Sequence, residues 1–364
     1  MWLLICAFIV VLMVVGCLFC PIKIGVVIPA DSISGVEEIL AVKFWVSKHP
    51  KIGFKRVKLY VESPRRDPYE IREAYMKLVE QGVCAVIGGA LSTEGVVLAD
   101  LAAKTGVPTF GITTTTTLIS DRKDNYYRFI DTNDVLACYA ARYTSEQGFE
   151  RALIIESSYN TEYTKGYVNA FTESFKGKVE TLVLSDVPNT IIAAMESLDP
   201  DVIVLVLSPS ELLMAVKTIR SYDEAIPLIS SPWGYEQATG YYWNPLLNGL
   251  VVVSMFTPRI RKFEELVEEF RKATGAGIST AVLYSFMIME NLYKAIERAG
   301  GKREKIIRYF DRPRIYKGAF GRIYMNDCGD AASEYVYISR MMNRHVETIG
   351  MYRNEFFPTG GVNQ

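Results

Sequence analysis

Short apolar runs alternate along the chain with longer segments whose apolar positions recur every three or four residues. "KIGVVIPA" (Lys23–Ala30) is a continuous apolar run, the pattern of a parallel strand covered on both faces. "SGVEEILAVKFWVSKHP" then has helical spacing, and "RVKLYVES" is the next strand. Asp67-Pro68 opens a helix, because Asp caps well and Pro fits the first turn. Its apolar face is Ile71, Ala74, Tyr75, Leu78 and Val79, and Gly82 ends it. "CAVIGG" predicts a third strand, "STEGVVLADLAAKTG" a helix capped by Ser92, and "VPTFGI" a fourth strand. Alternation restarts at Thr132 with a helix, "NDVLACYAARYTSEQG", and runs through the strands "RALIIESS", "KVETLVL", "DVIVLVLS", "IPLIS" and "GLVVVSMF". Two successive βα arrays predict an α/β fold of two doubly wound, Rossmann-like lobes. The tail departs from this pattern. Two consecutive helices, "IRKFEELVEEFRKATG" and "STAVLYSFMIMENLYKAIERAG", precede short strands and a turn at Asn326–Asp330.

Composition narrows the function classes. The chain has 364 residues and a formal net charge of −1, which argues against a nucleic-acid partner. Trp2–Ile22 carries no charged residue and is long enough to span a bilayer. Residues 1–22 therefore read as a signal peptide or an N-terminal membrane anchor. Val14-Val15-Gly16-Cys17 resembles the lipobox of exported lipoproteins, in which the cysteine is lipidated. Either reading places the rest of the chain outside the cytoplasm and near the membrane. Of the six cysteines, Cys84, Cys138 and Cys328 lie beyond that segment; buried free thiols are expected, with a disulfide left open. The two histidines, His49 and His345, read as solvated surface residues, so neither a metal site nor a His-centred triad is expected. With no nucleophile elbow, dinucleotide fingerprint or P-loop, the chain is not expected to be an enzyme or to carry a cofactor. Gly88-Gly89 reads as a tight strand-to-helix turn.

Hydroxyls gather where ligands bind in open α/β sheets, at the C-terminal strand ends. Ser92 is at one such end, and "FGITTTTTLIS" puts five threonines, Thr113–Thr117, at the next. Hydroxyls beside helix N-termini suit a carboxylate. "SSYNTEY" (Ser157–Tyr163) and "SPSE" (Ser208–Glu211) hold the equivalent places in the second array.

The stretches "DPYEIREAYMKLVEQGVCAVIGGALST", "TGVPTFGITTT", "YNTEYTKGYVNAFTESF" and "GAFGRIYMNDCGD" together resemble the type I periplasmic solute-binding proteins. Within them, the chain resembles the leucine/isoleucine/valine-binding subgroup of ABC importers. The resemblance implies two lobes, residues 23–131 plus 257–323 and residues 132–256 plus 324–364. It implies three hinge crossings, near Asp131–Asp134, Val251–Phe256 and Tyr324–Asp330, and lobe closure around a ligand. It implies that the hydroxyls of Ser92 and Thr115, with the Thr115 N–H, bind an α-carboxylate. The Thr113 carbonyl would accept from an α-amine, and Tyr163 would clamp from lobe two. Trp233 stands where the family has its amine-binding acid, and Ser208 where it has a second tyrosine. Glu236 is a substitute acid, and a cation–π contact to Trp233 is another route to an ammonium. Thr114, Thr116 and Thr117 are left to β propensity. The implied function is extracytoplasmic capture of a small carboxylate, such as a branched-chain or hydrophobic amino acid, for ABC permease subunits. A membrane-anchored ligand sensor of the same fold is the alternative.

Overall fold

A computed structural model describes residues 20–184, 189–235, 244–277, 279–343 and 345–359. Cys17 and Glu236, both named above, lie outside these residues, as does nearly all of the apolar N-terminal segment. No helix among the described residues is long and apolar enough to cross a membrane.

The apolar runs become strands because helices cover both faces, so side chains on either face are buried. The first sheet holds β1 (Ile22–Val27), β2 (Lys51–Ile52), β3 (Lys55–Glu62), β4 (Ala85–Gly88), β5 (Thr109–Gly111) and β6 (Tyr126–Arg128), in the order β2-β3-β1-β4-β5-β6. All its pairings are parallel except the short β2–β3 hairpin. Three helices connect these strands: α1 (Ile33–Lys48), α2 (Pro68–Glu80) and α3 (Ser92–Thr105). Asp67 caps α2 as expected, its Oδ1 accepting from the N–H groups of Tyr69 and Glu70.

The second sheet begins after α4 (Asn133–Glu146). It holds β7 (Arg151–Glu156), β8 (Lys178–Val183), β9 (Val202–Val206), β10 (Leu228–Ser230) and β11 (Val251–Ser254). The connecting helices include α5 (Thr161–Ser174), α6 (Asn189–Leu198) and α7 (Pro209–Tyr222). The chain then returns to the first sheet with α8 (Glu264–Thr274), α9 (Thr280–Ala299) and α10 (Arg303–Phe310). Phe270 of α8 and Phe286 of α9 pack against Phe44 of α1, and Phe310 of α10 packs on Phe110 and Tyr127 of β5 and β6. A separate three-stranded antiparallel sheet follows, made of β12 (Arg314–Lys317), β13 (Arg322–Met325) and β14 (Ala331–Ser333). The long hairpin β15 (Tyr335–Met342) and β16 (His345–Arg353) adds to the second sheet, whose order is β16-β15-β11-β10-β9-β7-β8.

Several expectations need adjustment. The helix expected to begin at Ile260 starts only at Glu264, after Phe263 turns the backbone into the left-handed region (φ 73°). Ser92 is not the cap of α3 but its first residue; Leu91 holds the cap position. His345 opens β16 instead of lying in a turn, and both histidines are exposed. Cys84, Cys138 and Cys328 are free, and Cys84 is buried.

Asp131 ties three segments together where the chain passes from the first sheet to the second. Fully buried, it accepts from the Ser333 N–H (2.8 Å) and from Asn354 Nδ2 (2.9 Å). Burial pushes its carboxyl up to about 6. An unfolded aspartate titrates at ~3.9. The folded chain therefore holds this proton more tightly. The stability Asp131 contributes is present below the unfolded value and is lost as pH rises through about 6. Relative to the wild type, Asp131→Asn should gain stability steadily from pH 4 to pH 7. The gain should reach up to ~3 kcal/mol, because each tenfold difference in proton affinity is worth ~1.4 kcal/mol. Urea unfolding of both proteins across that range checks this; parallel pH profiles would refute it.

Candidate functional site

β5 ends at Gly111, so the threonine run is not a strand edge. The hydroxyls of Thr113, Thr114 and Thr116 find local tasks instead, because short polar side chains compete with ladder hydrogen bonds for nearby backbone groups. The Thr113 N–H donates to Gly89 O (3.3 Å). Its hydroxyl reaches Ala90 O (2.9 Å) and the buried Glu38 Oε1 (3.1 Å). Thr114 Oγ1 donates to Gly89 O (3.0 Å) and meets the Tyr126 hydroxyl (2.9 Å). Thr116 caps a 3-10 turn, Thr117–Ile119, by accepting from the Leu118 N–H. The β-propensity reading of Thr114, Thr116 and Thr117 is thus corrected: none of them is in a strand. Gly89 and Gly95 make room for this knot. Gly89 has φ +85°, and a Cβ there would fall 2.5 Å from Thr114 Oγ1; one on Gly95 would fall 2.2 Å from Thr114 Cγ2. Gly88 ends β4 and Gly89 begins the turn from strand to helix.

Thr115 is different. Its carbonyl accepts from the Asn133 N–H (2.8 Å) and its N–H donates weakly to Ser92 Oγ (3.4 Å). Its own hydroxyl oxygen is buried with no hydrogen-bond partner. Ser92 is left available by a neighbour. Glu94 Oε2, not a serine hydroxyl, accepts from the N–H groups of Ala90 and Leu91 at the start of α3. Arg66 pairs with the buried Glu94 and with Asp31 (2.9 Å).

A cavity of about 70 Å³ lies between the strand ends of the two sheets. Ser92, Thr113 and Thr115 form one end of it, and Tyr163 and Trp233 close it from the second sheet. The Tyr163 and Trp233 rings meet edge to face at 5.5 Å. Five of the seven ligand-binding residues expected from sequence are therefore brought together. Ser208 is not among them. It caps α7 and lines an adjoining cavity that shares Ser34, Leu91 and Trp233 with the first. Glu236 is outside the described residues. The apolar wall was not foreseen: Ile130, Leu136, Met255 and Phe256 come from four separate places in the chain. Asn160 was also missed as an individual residue; its Oδ1 accepts from the Thr93 N–H (3.4 Å) and so joins α5 to α3 across the cleft.

The electrostatics are set by the backbone. Ser34, Ser92, Tyr163 and Ala281 are first-turn residues of α1, α3, α5 and α9, and all four line the cavity. Four helix N-termini thus converge on it, and each brings the partial positive charge of a helix start. Among the described residues that line it there is no aspartate, glutamate, lysine, arginine or histidine. Glu38 stands one layer behind, bonded through the Thr113 hydroxyl.

Comparison with known proteins places the fold. A family model described as periplasmic binding protein matches residues 21–345. The chain belongs to that family. Its two-lobed α/β architecture is the type I form. Among solved structures, this periplasmic binding protein is similar to the leucine-binding protein LivK of Thermotoga maritima: 20% identity, TM-score 0.80, covering 91% of this chain and 99% of that one. A solute-binding protein of an R. palustris ABC transporter, solved with 4-hydroxybenzoate, gives 17% identity and TM-score 0.82 over 92% and 97%. The branched-chain amino acid binding protein LivJ of Streptococcus pneumoniae, solved with isoleucine, gives 18% and 0.79 over 92% and 99%. At such identities the likeness establishes the fold alone. No curated protein matches the chain.

Proposed function

We propose that this periplasmic binding protein is the extracytoplasmic solute receptor of an ABC importer, and that it captures a small carboxylate with an apolar body by lobe closure. The observation that carries this reading is the convergence of four helix N-termini and the hydroxyls of Ser92 and Thr115 on one cavity with no charged side chain among the described residues of its wall. Such a site stabilises a carboxylate by hydrogen bonds from fixed donors. Ile130, Leu136, Met255, Phe256 and Trp233 then cover the rest of the ligand. Among the described residues no carboxylate lines this cavity to pair with an α-ammonium, and a buried charge without a counter-charge is costly. The site therefore favours carboxylates without an α-amine over amino acids. The structures solved with isoleucine and with 4-hydroxybenzoate bracket these two options within one fold. The apolar segment Trp2–Ile22 supports export and retention near the permease.

Calorimetric titration of the purified protein tests the proposal with leucine, isoleucine, 4-methyl-2-oxopentanoate, benzoate and 4-hydroxybenzoate. Benzoates or the oxo acid should bind at least tenfold more tightly than the amino acids. Preferential binding of leucine or isoleucine would mean that the amine finds a partner, with Glu38 and Glu236 the first to mutate. Failure of every carboxylate to bind would end the reading.

A further inference from the structure

A second cavity, of about 340 Å³, lies on the other side of Phe256, which lines both. It is built from elements of both sheets. Ser279 and Thr280 enter from the start of α9, Phe320 from the loop before β13, and Ser339 and His345 from β15 and β16. Its chemistry repeats that of the cleft with different residues. The N-terminus of the twenty-residue helix α9 faces it, capped at Ser279 without any side-chain hydrogen bond. Ser339 is 2% exposed, and its hydroxyl oxygen is buried in the cavity wall with no partner. The hydroxyl oxygens of Ser279 and Thr280 are buried and unpartnered too. Three unsatisfied hydroxyls at one place are costly to keep unless something binds them. No aspartate, glutamate, lysine or arginine lines the space among the described residues. The rest of the wall sets Ile260, Leu283, Val346, Phe256 and Phe320 beside Tyr235, Ser254, Thr257 and His345.

We infer that this cavity is a second binding site for a small carboxylate with a compact apolar body, its head group held by Ser279, Thr280, Ser339 and the first N–H groups of α9. It is independent of the cleft, because neither Ser339 nor Thr280 touches the first cavity. It is coupled to the cleft by shared parts: Ala281 of α9 lines the cleft while Thr280 and Leu283 line the second cavity. A ligand bridging α9 and the β15–β16 hairpin joins the body built on the first sheet to the second sheet, so it biases how far the two separate.

The probe is 4-bromobenzoate, located by bromine anomalous scattering in crystals and titrated calorimetrically in solution. Two bromine positions are expected, one in each cavity, with a second binding step below millimolar. Ser339→Leu puts an apolar side chain where the head group would sit and should remove that step and its bromine peak while leaving the cleft occupied. Thr280→Val, a milder change, should weaken the second step at least tenfold. Bromine in the cleft alone, or a second step unmoved by both variants, overturns the inference and leaves the proposed function standing. Bromine in the second cavity alone, sensitive to Thr280→Val, supports the inference while refuting benzoate capture in the cleft.

Discussion

Replacing Arg128 with methionine is expected to destabilise the protein by about 3–5 kcal/mol, the range for removing one member of a buried ion pair. Arg128 is 1% exposed at the end of β6. Its guanidinium donates to Thr116 O (2.5 Å), to Ser120 Oγ (2.6 Å) and, through Nε and Nη2, to Asp330 Oδ1 (3.0 and 2.6 Å). Methionine keeps the volume and removes every donor. A carboxylate, a carbonyl and a hydroxyl are then left short of partners in a poorly solvated place. The effect reaches the ligand cavity, because Thr116 is the next residue after Thr115. Once its carbonyl is released, the loop no longer holds the Thr115 hydroxyl in place. Urea unfolding gives the stability loss, and titration with the best carboxylate ligand gives the affinity loss; both should fall together. Asp330→Asn should cost less than Arg128→Met, because Asp330 is less buried and asparagine retains an acceptor. A loss under ~1 kcal/mol for Arg128→Met would show that the cluster is dispensable.

What the sequence made legible follows from how strongly each feature depends on its neighbours. β9, "VIVLV", is buried at every residue, and a continuous apolar run of that length between turn signals has few other readings. β6 and β12 were not legible. β6 is three residues long, too short to show a period, and β12 alternates weakly among arginine, tyrosine and lysine. The first turn expected of α8 failed because Ile260 and Phe263 are apolar for another reason. They pack on the core from the irregular segment that returns the chain to the first sheet. Ser92 looked like a cap because serine commonly is one. Only the structure shows Glu94 accepting from the preceding N–H groups in its stead. The hydroxyl end of the cavity could be read because its residues sit just past strand ends, where a local pattern places them. The apolar wall could not. Ile130 and Met255 carry only the signal of a buried residue, and which buried residues face the ligand is decided by the packing of two sheets far apart in sequence.

Thr115→Val should separate binding from stability. Valine has nearly the shape of threonine and lacks the hydroxyl. In the protein as folded that hydroxyl oxygen is buried without a partner, so its removal relieves an unsatisfied group. The variant should be as stable as the wild type or up to ~1 kcal/mol more stable. The bound carboxylate, by contrast, loses a charge-assisted hydrogen bond of ~1.5–3 kcal/mol, which is about 10- to 150-fold in affinity. Ser92→Ala should lower affinity by a similar factor. The double variant should lose less than the product of the two, because the Thr115 N–H and Ser92 Oγ are hydrogen-bonded to each other and act on the same carboxylate. Thermal unfolding without ligand and calorimetry with it distinguish the possibilities cleanly. A Thr115→Val protein that is less stable and binds normally would make this hydroxyl a structural group. One that is stable and binds poorly would show that the loop keeps Thr115 unsatisfied so that the ligand can satisfy it.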